Sequence, residues 1–222
     1  MTVFYRQYDK KEKKFQERYD EVMKKPLYII LVAIMGACCI TGCKKEASIK
    51  LSDINESTIL LLGNGSVQGA SVEQFDKSYY DKDELKDFIK EDIDTFNSKD
   101  SNVEAVKLED FNVSDKTAKV LLNYKDITLY NEYNSSDIQV LTMGEAVEKN
   151  ILPDTMQDVI NSSEVAKTDV TANSEYMVVV TNELIDVKTE GKIKYYSNAM
   201  LLNEQTAQSM EGKTTIIVYE NK

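Results

Sequence analysis

DKDELKDFIKEDIDTFNS, residues 81–98, is the stretch on which the fold class turns. Leu85, Phe88, Ile89, Ile93 and Phe96 recur at three- and four-residue steps, which lines one helix face with apolar side chains. Asp81 with Glu84 three residues on resembles a capping box, and acids fill the first turn, where the helix dipole favours them. Glu84, Asp87, Glu91 and Asp94 form an acidic stripe beside the apolar face, partly balanced by Lys86 and Lys90. The spacing predicts one long amphipathic helix over about 81–98. Antiparallel hairpins on both sides, with one or two short helices, give an expected α+β fold over residues 57–222.

The hairpins are read from turn chemistry and alternation. Residues 57–62 and 66–75 are expected as strands around Asn64-Gly65, the pair that a type I′ turn favours, with Gly69 as a candidate bulge. Strands are expected at 103–113, 117–124 and 126–133, the first two joined by the polar turn at 112–116. Thr142-Met143-Gly144-Glu145 is a capping box opening a short helix, Pro153 ends it, and 155–161 is expected as a further helical turn. Strands follow at 176–181, 183–189 and 192–201, the last two flanking a Glu190-Gly191 hairpin turn, and at 214–220. Residues 161–173 have the weakest pattern and are the candidate sub-boundary. There is no internal repeat.

Upstream, residues 1–22 are charged throughout, longer than an export segment needs. They read as a mis-assigned start ahead of Met23, or as a cytoplasmic extension. From Met23 the order changes. Lys24 and Lys25 precede an uncharged apolar run, Thr41 and Gly42 are small, and Lys44, Lys45 and Glu46 follow Cys43. That is the layout of a signal peptide over 23–42. The run 27–43 is at the lower edge of what spans a bilayer, so a membrane-spanning anchor is the alternative. Residues 43–56 are polar without periodicity and read as a tether, reaching roughly 43 Å if residues 44–56 are extended.

Ile40-Thr41-Gly42-Cys43 resembles the lipobox of bacterial lipoproteins. The resemblance implies that Cys43 takes a diacylglyceryl group and becomes the first residue. Two acyl chains hold a protein stably where one binds only marginally. The runs 72–80, 83–85, 94–97, 191–198 and 216–219 resemble uncharacterised lipoproteins of anaerobic Gram-positive bacteria. This implies a place on the outer side of the cell membrane and carries over no catalytic residue.

Composition narrows the chemistry. There is no histidine, which removes Ser-His-Asp and Cys-His catalysis and every histidine-ligated metal site. Ser66, Ser71 and Ser162 lie in no nucleophile motif, and no phosphate loop or dinucleotide fingerprint occurs. No cofactor is expected. The net charge is −11, and residues 1–42 are net basic, so the remainder is more acidic still. Nucleic acid and anionic lipid are disfavoured as partners. Asp81, Asp83, Glu84 and Asp87 lack the glycine and the closing glutamate of an EF-hand loop, so no metal site is assigned.

There is no tryptophan, and 13 tyrosines are the available contact aromatics. Tyr79, Tyr80, Tyr130, Tyr133, Tyr195 and Tyr196 are the candidate partner contacts, with core packing as the alternative for each pair. On a strand Tyr195 and Tyr196 face opposite sides. The expected role is a non-catalytic binding or scaffolding module in the envelope, with a protein or wall glycan as partner. The alternatives are a carboxylate-dependent glycan hydrolase and a solute-capture lipoprotein of a transporter. Intact-mass analysis of the membrane-bound protein should show a lipid-modified chain starting at Cys43; a species that retains residues 1–42 contradicts the lipobox reading.

Overall fold

Alternating short aliphatic runs and tight turns decide most of the architecture. The computed structural model describes residues 47–99 and 103–221. The 1–22 extension, the 23–42 export segment and Cys43 lie outside the described residues. The strands are β1 (Thr58–Leu61), β2 (Val67–Gln74), β3 (Val106–Ser114), β4 (Thr117–Tyr124), β5 (Gln139–Thr142), β6 (Thr155–Asp158), β7 (Glu164–Ala166), β8 (Tyr176–Thr181), β9 (Asp186–Thr189), β10 (Ile193–Ser197), β11 (Ala199–Asn203), β12 (Thr206–Ser209) and β13 (Thr215–Glu220). The helices are α1 (Lys82–Asn97), α2 (Ile127–Asn134), α3 (Met143–Glu148) and α4 (Lys167–Val170).

The strands form a seven-stranded sheet, ordered β11-β12-β9-β1-β2-β4-β3, and a six-stranded sheet, ordered β5-β8-β13-β10-β6-β7. Only β1 and β9 pair parallel. The α+β expectation is therefore corrected: the described chain is mostly β, two sheets with only short helices between their strands. The α1 segment buries Leu85, Ile89, Ile93 and Phe96 and packs beside β3 at one sheet edge, so it is not the layer that organises the fold.

The turns exchange roles. Asn64-Gly65 does not make a type I′ turn. Gly65 N–H bonds to the Leu62 carbonyl at 3.0 Å and only Gly65 has positive φ, so Asn64 is a right-handed turn residue and Gly65 the left-handed one after it. Asp115 and Lys116, both at positive φ, supply the two-residue turn between β3 and β4. Gly69 is not a bulge: β1 and β2 keep register through it. It is a point of close approach, since a Cβ there would lie 2.8 Å from the Tyr130 ring.

Four other expectations are corrected. Residues 126–133, expected as a strand, form α2 from Ile127 onward. Asp126 accepts from Leu129 N–H at its start, and the i, i+3 pair Tyr130 and Tyr133 turns to one buried face. Residues 155–158, expected as helical, are β6, because the segment bridges β10 and β7. Glu190-Gly191 is not a hairpin turn: β9 and β10 belong to different sheets. Residues 47–56 are not a free tether. Ile49 and Leu51 are buried with Leu60, Ala70 and Leu121, and Lys119 Nζ donates to the Leu51 and Ile54 carbonyls. The candidate sub-boundary at 161–173 carries β7 and α4 inside the single unit Ala47–Lys222.

The chain passes between the sheets five times, at residues 125–138, 182–185, 190–192, at Asn198 and at 210–214. At the third passage a Cβ on Gly191 would lie 1.7 Å from the Glu220 carbonyl oxygen, so only glycine fits. Gly191→Ala should cost more stability than Gly69→Ala, because backbone cannot yield as the Tyr130 ring can. The latter should cost about 1–3 kcal/mol, the usual range for overpacking. Gly144, with nothing nearer than 4.0 Å, should accept alanine with little loss of stability. Urea unfolding of the three variants checks this order; Gly191→Ala at parental stability contradicts it.

Candidate functional site

The loop between β2 and α1 carries the most exposed of the candidate tyrosines. Phe75 N–H bonds to the Lys116 carbonyl at 2.7 Å, so one end is fixed to the β3–β4 turn. At the other end the Asp81 carboxylate accepts from Asp83 N–H and Glu84 N–H at 2.8 and 3.0 Å, capping α1. Tyr80 N–H bonds to the Lys77 carbonyl between them. The pinned loop stacks Phe75 on Tyr80 at 5.0 Å between ring centroids, and Tyr79 meets Tyr80 edge-on at 5.0 Å. Tyr79 is 67% exposed, with Tyr80 and Phe75 half-buried behind it. The result is a ledge of three rings whose outermost face is open. Rings of this kind bring large contact area with little conformational freedom to lose.

Of the other four tyrosines, Tyr130 and Tyr133 take the core-packing alternative. Tyr130 and Tyr133 are buried and face the protein's own core: Tyr124 lies 5.0 Å from Tyr130, and Phe96 lies 5.2 Å from Tyr133, edge-on. Burial pushes the hydroxyls of Tyr124, Tyr130 and Tyr133 well above the ordinary tyrosine range, and the Asp92 carboxylate adds to the effect at Tyr133. Tyr195 packs against the cluster formed by Leu141, Met156, Val178 and Val218, with the Tyr176 ring at 6.2 Å. Tyr196, its neighbour on β10, points to the opposite side and is half-buried. Of the six candidates Tyr79 is the most exposed.

Three acids are held by backbone or by a lysine. Glu145 is held below the ordinary carboxylate range by the Thr142 backbone N–H and hydroxyl in the α3 capping box. Lys192 lowers Glu204 across 2.7 Å, and Lys194 lowers Glu220 across 2.8 Å. Asp186 is the exception. Burial pushes its carboxyl up, a hydrogen bond from Gln208 at 3.1 Å partly offsets this, and the negative charge of Glu56 raises it further. Asp87, Lys90, Glu91, Asp94, Thr95 and Ser98 line a shallow open depression along α1, a solvated charged face. Among the described residues no group of three or more His, Cys, Asp or Glu is arranged to hold a metal ion.

No family model, curated protein or solved structure matches the chain.

Sequence reasoning missed Phe75 as the base of the ledge. A phenylalanine four residues before Tyr79 was visible, but the stacking depends on the loop doubling back at Lys77. It also missed a second exposed apolar corner, Leu184, Met200, Leu202 and Met210, because nothing local says which strand ends a sheet.

The Asp186 environment fixes a pH dependence. A carboxyl whose folded pKa is raised costs stability once it ionises. The cost is absent below the unfolded value of about 3.9 and grows as pH rises through the folded value. Asp186→Asn keeps an acceptor for Gln208 and removes the charge. It should raise the Tm at pH 7 and leave it unchanged near pH 3; a lower Tm at pH 7 contradicts the assignment.

Proposed function

We propose that the chain is a lipid-anchored protein on the outer side of a bacterial cell membrane. It is held through Cys43 and acts as a non-catalytic binding or scaffolding module for an envelope protein or wall glycan. The observation that carries this reading is the ring ledge at Tyr79. It is an exposed aromatic surface on a loop pinned at both ends, in a chain whose net charge of −11 keeps the rest of its surface solvated. Such a ledge can lie against the apolar face of a sugar ring or an aliphatic side chain. The anchor reading gains a geometric consequence. Cys43 stands four positions before Ala47, where the domain begins, and an extended chain spans at most about 14 Å over that distance. The domain therefore rides close to the bilayer surface rather than on a long tether.

One observation favours a second reading. Asp186, a half-buried carboxyl raised by burial, is the residue on which a carboxylate-dependent glycan hydrolase would rest. Lowered carboxyls such as Glu145, Glu204 and Glu220 are ionised and bound to cations or backbone, which suits structure rather than proton donation.

A photo-reactive amino acid at position 79 should capture an envelope component in intact cells, and the same probe at exposed Thr168 should not. Tyr79→Ala with Tyr80→Ala should abolish co-purification of that component at unchanged Tm. Equal adducts from the two positions would overturn the ledge. Release of reducing ends from wall glycan, lost in Asp186→Asn, would replace binding by hydrolysis.

A further inference from the structure

The two sheets have four edges, and three of them expose no large apolar side chain. β3 exposes Lys107, Glu109 and Asp110 and is bulged between Leu108 and Asp110. β5 exposes Gln139 and Thr142, and β7 exposes Glu164 over only three residues. Charges, bulges and short length are the usual devices that stop an open edge from pairing with another chain. β11 shares the bulge and the short length, but it alone of the four edges exposes large apolar side chains. It ends the seven-stranded sheet, its sequence Ala199-Met200-Leu201-Leu202-Asn203 has no charge, and Met200 and Leu202 are 51% and 45% exposed. On one side it pairs with β12; on the other no strand pairs with it among the described residues.

Two more exposed apolar residues, Leu184 and Met210, stand near it. Met200 pairs with Gln208, and Gln208 pairs with Asp186. Met210 and Leu184 stand two residues further along those strands, and both are exposed. Residues 195–203 carry no charge at all, in a chain of net charge −11.

We infer that β11 is a strand-addition edge for a second copy of this chain, paired antiparallel across a two-fold axis at Leu201. Two observations select a second copy. First, two acidic copies repel each other over most of their surface, and this uncharged edge is where they can touch without opposing like charges. Second, the strand is self-complementary in that register. Leu201 faces Leu201, Met200 of each copy faces Leu202 of the other, and Ala199 faces Asn203, so apolar meets apolar at every central pair. An isologous contact requires this self-match. The ladder is short, and the bulge between Leu201 and Asn203 limits its length. The contact therefore falls below the roughly 1,200 Å² of a stable interface and gives a weak, concentration-dependent dimer.

Cross-linking tests the register directly. Opposed residues of an antiparallel pair have Cβ atoms about 4.5–5.5 Å apart, near what a disulfide bridges. Full-length Leu201→Cys, oxidised in membranes, should give a covalent homodimer well above both the parent chain and Lys107→Cys on the guarded β3 edge. Detergent-purified parent chain should dimerise with concentration in sedimentation equilibrium. Met200→Lys with Leu202→Lys, both at exposed positions, should weaken that dimer about tenfold or more. The inference is overturned if Leu201→Cys cross-links no more than Lys107→Cys, if the parent stays monomeric across the range, or if the dimer survives both lysines. It is also overturned if Leu201→Cys is captured by a different protein instead of by itself.

Discussion

The contact between Gly191 and the Glu220 backbone is the constraint on which the two sheets depend. It lets β9 leave one sheet and β10 enter the other within three residues. Two further passages are tied to each other: Asn198 Nδ2 donates to the Thr214 carbonyl, and Thr215 Oγ1 donates to the Asn198 carbonyl. Asn198 itself sits at positive φ, which asparagine tolerates better than most residues. Between these points lie β10 and β13. Every residue of β13 except Glu220 is buried, on both faces of the strand. Displacing Gly191 would therefore disturb the centre of one sheet and the β1–β9 pairing of the other.

Burial then divides the aromatic residues into two kinds. Tyr124, Tyr130, Tyr133 and Phe96 fill the space where α1 and α2 meet the first sheet, and Gly69 leaves room for the Tyr130 ring. Tyr79, Tyr80 and Phe75 stack in a loop outside that core. The same residue type thus stabilises the fold in one place and presents a surface in another. The difference is whether its element packs on a sheet or doubles back into water.

Several elements were legible because their cause is local. The Thr142–Glu145 capping box, the aliphatic run at 176–181 and the alternation at 117–124 each act within a few residues, and each element stands where its pattern places it. The balance between helix and sheet was misjudged for a related reason. A helix concentrates its signal in one continuous periodic segment, whereas strands scatter theirs over many short runs, so the reading gave α1 more weight than thirteen strands. Residues 126–133 could be read as a strand or a helix until Asp126 was seen to cap and Tyr130 and Tyr133 to share a face. For Tyr130 and Tyr133 the sequence leaves contact and core packing open, and the helix that turns both to one buried face decides for the core.

By itself the sequence determined the acidic balance, the absence of histidine chemistry, the lipobox-like run ending at Cys43 and the local signals for turns and caps. These follow from residue identity and near-neighbour spacing. Tertiary structure alone decided that β9 and β10 part company, that residues 47–56 join the core, and that β11 ends a sheet with Met200 and Leu202 exposed. Strand pairing joins residues far apart in the chain through backbone groups that every residue carries. The identity of a strand's neighbour, or the lack of one, is therefore not written in its own side chains.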